Sequence, residues 1–287
     1  MPSHDRQKVP WRRAFVLIGV SILLVSGTAA VGTFFFLRFR EARVRDSRYN
    51  IVAVVQHCHQ NEGLKTSLLV ELLQLSVDQP MNLYCFDVQA AKETLLECPI
   101  ITMAEIKKIK PGTLYIDYAL RKPIAYVGDY SNTAVDDQGV LIPFKPYYTP
   151  KNIPELILGL DSDPLVPVWG SVLEGAKSQL AFSLLKAFNE HFAIEGCSVR
   201  CIDISKAFAV SCGQREIVIT LDERAESLSR RVLRLTVENY SEQLANYLVL
   251  RQELNKRFMD AQDLPSSISR LVVDMRIPKL AFINRMQ

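Results

Sequence analysis

AFVLIGVSILLVSGTAAVGTFFFL, residues Ala14 to Leu37, runs for 24 residues without a charge. At ~1.5 Å per residue a helix of that length crosses a hydrocarbon core of about 30 Å with some tilt. Its backbone bonds are made internally, as lipid requires. Trp11 before it and Phe34, Phe35 and Phe36 near its far end suit the two interfaces. The run has no polar face, which argues against a buried helix of a soluble domain. Thr28-Ala29-Ala30 has the small residues of a signal-peptide cleavage site. The apolar run continues past it, beyond the roughly 7–15 residues of a signal peptide's core. A single membrane-spanning helix is the expectation.

Charge divides around this helix. Arg6, Lys8, Arg12 and Arg13 against Asp5 give the tail 1–13 all of the chain's net charge of +3. The remainder is neutral overall, which excludes nucleic-acid binding by bulk charge. The basic tail suits anionic lipid headgroups. Arginines at 38, 40, 43, 45 and 48 flank the far side, so the positive-inside rule does not choose an orientation. A short tail stays behind easily while long domains translocate, and this favours a cytoplasmic N-terminus. Ser26 with Ala30 and Thr28 with Gly32 form small-xxx-small pairs. These either admit a second helix or are merely tolerated in lipid.

Residues 38–48 read as a charged juxtamembrane linker, 49–127 as a first domain and 128–287 as a second, β-rich domain with packed helices. Glycine and proline, 12 and 14 residues, are not enriched, so the chain is neither fibrous nor disordered in type. In the first domain Ile51–Val55 is a β-branched strand and Leu64–Leu75 a helix. A second helix spans 87–97, capped by Asp87 and followed by Pro99. Ile101–Ile109 and Leu114–Leu120 form a hairpin around Lys110-Pro111-Gly112-Thr113, where the glycine permits a positive φ. The order β-α-α-β-β buries one shared core between two helices and three strands.

In the second domain Asp136-Asp137-Gln138-Gly139 is a turn leading into Val140–Pro143, and Ile153–Leu156 opens another apolar run. Residues 171–192 give an amphipathic helix with Leu173, Ala176, Leu180, Leu184 and Phe188 on one stripe. Residues 198–221 read as two or three antiparallel strands, broken near Ser205 and Gly213. A helix covers 240–258 and includes Leu244, Tyr247, Leu248, Leu254 and Phe258. Leu271–Met275 and Leu280–Ile283 form a last strand pair. No internal repeat or low-complexity tract is present.

The chemistry-bearing motifs are weak. Gly170 to Ser178 resembles a phosphate-binding loop with one residue too many before Lys177. Ser183-Leu184-Leu185-Lys186 matches the S-x-x-K of penicillin-binding enzymes, but no K-T-G element accompanies it. His57-Cys58-His59 places two imidazoles on one face of a strand, at most two ligands with no evident third, so no metal is assigned. No H-E-x-x-H, G-x-S-x-G or dinucleotide fingerprint occurs. The expectation is a protein that is not an enzyme, without cofactor, nucleic acid or small-molecule substrate. Cys58, Cys85, Cys98, Cys197, Cys201 and Cys212 all follow the anchor. They read either as disulfide partners in an oxidising compartment or as reduced thiols behaving as small apolar residues.

Five motifs, the second in two parts, carry a resemblance. Met81-Asn82-Leu83-Tyr84-Cys85-Phe86-Asp87 precedes the second helix. Ile109-Lys110-Pro111-Gly112-Thr113-Leu114 and Leu120-Arg121-Lys122-Pro123-Ile124-Ala125 mark the hairpin's turn and its end. Val135-Asp136-Asp137-Gln138-Gly139-Val140, Ile153-Pro154-Glu155-Leu156 and Val273-Asp274-Met275-Arg276 follow in order. Together, over roughly 240 residues behind one anchor, they resemble the bacterial division proteins of the FtsQ/DivIB family, whose first outer domain is of the POTRA type. The chain departs from that pattern at Leu120, at Gln56 to His59 and at Ile277-Pro278.

The resemblance implies a single-pass scaffold of the cell inner membrane at the division site, with its domains on the periplasmic side. It implies partners of the FtsB/DivIC and FtsL types and the septal synthase complex, and so control of septal peptidoglycan synthesis. The hairpin residues it marks are Pro111, Thr113, Leu114, Arg121 and Pro123. The partner-binding residues it marks are Val273, Asp274, Met275, Arg276, Ile277, Lys279, Leu280, Ala281 and Phe282, where an edge strand would receive a partner strand. Pro278, without a backbone donor, is expected to interrupt a ladder there. The same residues also fit ordinary core-filling final strands. Two other classes fit the architecture less well: a POTRA-containing outer-membrane assembly or secretion component, and a membrane-anchored peptidoglycan enzyme acting through Ser183.

Overall fold

The computed structural model describes residues 11–76, 78–160, 166–191, 197–224, 228–259 and 270–286. The basic tail before Trp11 and the expected helix end at residue 192 lie outside the described residues, as does the side chain of Phe258. The chain forms two compact units. The first holds the N-terminal helix and most of the β-α-α-β-β arrangement, through Leu96 and again over Met103–Tyr118. The second takes Glu97–Thr102 and the chain from Ala119 onward.

Helix α1 (Trp11–Arg45) is long and apolar enough to cross a membrane. Phe15, Leu17, Leu23, Val25, Phe34 and Phe36 stand exposed around it, the pattern of a helix covered by lipid rather than by protein. Its hydroxyls turn inward on their own backbone. Ser26 Oγ donates to the Leu23 carbonyl (3.1 Å), Thr28 Oγ1 to Leu24 (2.9 Å) and Thr33 Oγ1 to Ala29 (2.8 Å). Each polar group is thereby satisfied without water. At the far end the buried Asn82 side chain reaches back, its Nδ2 lying 3.1 and 3.0 Å from the carbonyls of Arg43 and Val44. These are among the last carbonyls of the helix, which have no partner within it.

The first unit contains β1 (Ala53–Cys58), α2 (Thr66–Leu72), α3 (Val88–Glu97), β2 (Ile101–Ile109) and β3 (Thr113–Leu120), the last two continuing into the second unit. The three strands lie in the order β1-β3-β2, with β1 parallel to β3 from Ala53↔Thr113 to Cys58↔Tyr118. This is the expected POTRA-like arrangement. In β3 Leu114, Ile116, Tyr118 and Leu120 are buried while Thr113, Tyr115, Asp117 and Ala119 remain partly exposed, the period-two signature of a sheet covered on one face. Leu69 of α2 and Ala91 and Leu95 of α3 join this core. The Tyr118 hydroxyl accepts from the Leu64 amide (2.7 Å) and donates to Gln56 Oε1 (3.0 Å). Burial pushes its pKa up to about 12.

Several boundaries differ from expectation, each for a local reason. The strand expected at Ile51 begins at Ala53. Ile51 donates instead to Met81, and Asn50 bridges Asn82. Helix α2 stops at Leu72 because Gln74 takes a left-handed φ of 52°. The Leu75 amide then bonds Val70 and the Gln74 amide bonds Glu71, a Schellman ending without its usual glycine. Asp87 caps α3 as expected, its Oδ1 accepting from Gln89 (2.9 Å) and Ala90 (3.2 Å). Gly112 is needed for space rather than for a positive φ. A Cβ there would stand 2.1 Å from the Asn50 carbonyl oxygen.

The second unit is one nine-stranded mixed sheet. Its strands are β4 (Ala125–Val127), β5 (Thr133–Val135), β6 (Leu141–Pro143), β7 (Glu155–Ile157), β8 (Cys197–Asp203), β9 (Ile217–Arg224), β10 (Leu228–Leu235), β11 (Arg270–Asp274) and β12 (Phe282–Met286). The order across the sheet is β12-β11-β10-β9-β8-β7-β4-β5-β6. Helices α4 (Ala176–His191) and α5 (Tyr240–Met259) supply Leu180, Leu184, Phe188, Leu244 and Tyr247 to a core that also contains Leu156, Ile202, Ile219, Leu233 and Val273.

Helix α4 starts five residues later than its apolar stripe suggests. The backbone of 170–173 is committed elsewhere: Leu141 donates to Ser171 (2.9 Å), Gly170 to Leu141 (2.8 Å) and Leu173 to Gly139 (2.7 Å). The turn at 136–139 forms as expected, with Gly139 at φ 81° and Asp136 Oδ1 accepting from Gln138 and Val140.

The interior also holds charge. Glu223, Arg231, Arg251 and Tyr247 are all buried. Glu223 Oε2 lies 3.0 Å from Arg231, while Oε1 accepts from Arg251 Nε (3.1 Å) and from the Tyr247 hydroxyl (2.7 Å). All six cysteines are free thiols. Burial, reinforced by the Glu223 charge, pushes the Cys197 thiol up to about 12. Burial also pushes Cys201 up to about 11.

Candidate partner-binding edge

The last two strands form one end of the large sheet. β11 lies between β10, to which it is parallel, and β12, to which it is antiparallel from Arg270↔Met286 to Asp274↔Phe282. Its backbone is therefore paired on both sides. Among the described residues no strand pairs with the outer side of β12. The residues marked by the family resemblance separate accordingly. Val273 and Met275 are buried and contribute side chains to the core. Ile277, Lys279, Leu280, Ala281 and Phe282 are exposed, and Ile283 stands exposed beside them.

The connection between the strands is a tight turn. Leu280 donates to the Ile277 carbonyl (3.2 Å), with Pro278 at the second position and Lys279 at φ 66° in the third. Proline presets the φ this turn needs, and the third position requires a positive one. Two expectations are corrected here. Pro278 lies in the turn and removes no ladder bond. Strand β12 begins at Phe282, two residues later than the apolar pattern of Leu280–Ile283 suggests, because 277–280 are spent on reversing the chain.

Beside this edge Asp274 and Arg276 make a bidentate pair, Arg276 Nε at 3.0 Å from Oδ1 and a terminal nitrogen at 2.8 Å from Oδ2. Arg276 and Arg234 both reach Glu216, and Arg234 stands 3.5 Å from Asp274. Burial works to raise the Asp274 pKa. The bonds from Arg276 and the charges of Arg276 and Arg234 outweigh it, leaving that carboxyl below its usual range. The bond to Asp274 raises the Arg276 guanidinium in turn. Arg215, Thr236, Asp274, Arg276, Ile277 and Phe282 line a shallow groove here. Arg215, Glu216, Arg234 and Thr236 carried no signal in the sequence. Only the pairing of β9, β10 and β11 brings them beside Asp274.

The other candidates are placed as follows. Pro111 is exposed at the hairpin tip, Leu114 is buried and Thr113 half-buried. Arg121 is a clamp of the second unit. Its Nε donates to the Pro99 carbonyl (3.0 Å), its terminal nitrogen to Asp136 (2.7 Å), and its own carbonyl accepts from the Tyr148 hydroxyl (2.8 Å). Pro123 is buried beside it in sequence. Lys177 donates to the Gly159 carbonyl (2.5 Å). Ser183 donates to Gln179 (2.8 Å), and the exposed Lys186 lies 4.0 Å from Glu190. Between them in sequence, Leu184 and Leu185 are buried.

A scan against models of protein families finds no match, and a search of curated proteins finds none either. The architecture itself defines the class. One N-terminal apolar helix is followed by a β-α-α-β-β domain and a larger mixed-sheet domain, consistent with a POTRA-containing single-pass membrane protein. Its β/α domains offer surfaces for contact with other proteins.

Proposed function

We propose that this protein is a bitopic scaffold of the bacterial division complex, of the FtsQ/DivIB kind. Its helix α1 anchors it in the inner membrane with the N-terminus in the cytoplasm. Its two outer domains bind other bitopic division proteins, of the FtsB/DivIC and FtsL types, and so control septal peptidoglycan synthesis. It performs no catalysis and takes no small-molecule substrate.

The observation that carries this reading is the outer side of β12, with which no strand pairs among the described residues; Phe282 and Ile283 are exposed on this strand, and Ile277 and Leu280 in the turn before it. An exposed strand edge offers a row of backbone donors and acceptors. A partner segment laid along it gains affinity from main-chain bonds and specificity from alternate side chains. The ordered motifs behind one anchor support the family assignment.

The test is co-purification of the full chain, in detergent, with candidate partners of the two types. Phe282→Asp is expected to abolish co-purification. The position is exposed, so stability should stay within about 0.5 kcal/mol, checked by denaturant unfolding. Undiminished co-purification by a folded Phe282→Asp chain would remove the edge as the docking site.

A further inference from the structure

Strand β1 and the residue after it place His57 and His59 two positions apart on one face of the small sheet. The parallel register sets Asp117 of β3 directly opposite His57. Asp117 lies on the partly exposed face of β3, away from the buried Leu114, Ile116 and Tyr118. His57 Nδ1 lies 2.8 Å from Asp117 Oδ1, and His59 Nδ1 lies 3.5 Å from the same oxygen. The two imidazole rings are 5.3 Å apart, and one donor atom from each of the three residues falls within 4.8 Å of the others. Cys58 between them turns away, its Sγ bonding Gln60 and the Glu62 carbonyl.

We propose that His57, His59 and Asp117 form a site for a zinc-class divalent cation, with at least one coordination position left open. Tetrahedral bonds of about 2.0–2.2 Å to nitrogen and oxygen separate neighbouring ligands by roughly 3.3–3.5 Å. The carboxylate oxygen already stands near that separation from both nitrogens. The cation takes the place of the proton between His57 Nδ1 and Asp117: in a neutral ring that proton is carried on Nε2 instead, and from an imidazolium one proton leaves to solvent. Two imidazoles and one carboxylate suit zinc, and also nickel or copper, better than calcium or magnesium, which take oxygen. His59 Nδ1 also lies 3.1 Å from the Tyr118 carbonyl, which can only accept, so binding a cation through this nitrogen gives up that hydrogen bond. The side chains of His57 and His59 are about half exposed, 57% and 46%. The open position is therefore reachable by water or by a ligand from another molecule. This site is independent of the β12 edge and of the division reading.

The test uses the full chain in detergent, without an affinity tag and with its thiols alkylated, titrated with zinc chloride against a chromophoric chelator. One Zn²⁺ per chain is expected. Asp117→Asn should weaken binding about tenfold or more, and the double variant His57→Gln/His59→Gln should remove it. His57 and His59 are exposed, so the metal-free double variant should unfold as the parent does. Absence of binding above the detergent blank, or binding unchanged in the folded double variant, would overturn the proposal.

Discussion

The nine-stranded sheet ends in two edges, and they are finished differently. At one end β6 is three residues long, wholly buried, and roofed by the backbone of 170–173 through bonds to Leu141 and Gly139. At the other end β12 is five residues long, and exposed apolar side chains stand along it and the turn before it. Bare edges invite unwanted pairing, so proteins shorten or cover them. Among the described residues one edge is covered and the other is not. That difference is the ground on which β12 is proposed as the docking edge.

Support for the open edge lies two strands further in. β11 and β12 follow β10, whose Arg231 is bound to Glu223 of β9. Removing the carboxylate would leave the buried Arg231 and Arg251 without the negative charge that Glu223 supplies to both. Glu223→Ala is therefore expected to cost about 3–5 kcal/mol in unfolding of the second unit. A denaturant titration followed by circular dichroism measures it. Partner binding at β12 should weaken with it, because the edge loses its platform. A smaller effect is expected at the closed edge. Leu173 is buried, and its amide bonds the Gly139 carbonyl. Leu173→Ala should cost about 2–3 kcal/mol and raise hydrogen exchange at Leu141, while leaving binding at β12 unchanged. Loss of partner binding in Leu173→Ala would erase the distinction between the edges.

What could be read from the sequence was set by local chemistry. Helix α1 needs only an unbroken apolar run, and β2 needs only a run that ends at Pro111. Asp87 caps α3 with its own side chain, two and three residues away. Where distant residues decide, the pattern misleads. Strand β10 escaped notice because Arg231 occupies a core position among Leu233 and Leu235, where Glu223 on the neighbouring strand and Tyr247 on α5 receive it. The roofing of β6 by 170–173 took five residues from an otherwise regular helical stripe. Asp117 could not be matched to His57 without knowing that β1 runs parallel to β3. The edge itself was legible only as a pair of final strands. Nothing local says that β11 is enclosed while β12 is not, nor that Pro278 falls in a turn.

The most direct test of the bare edge is backbone hydrogen exchange over 282–286 in the full chain, with and without a division partner of the FtsB/DivIC type. Amides on the outer side of β12 should exchange quickly alone and slow markedly in the complex, while those of β6 stay unchanged. A complex that forms without altering exchange anywhere along 282–286 would contradict strand addition at this edge.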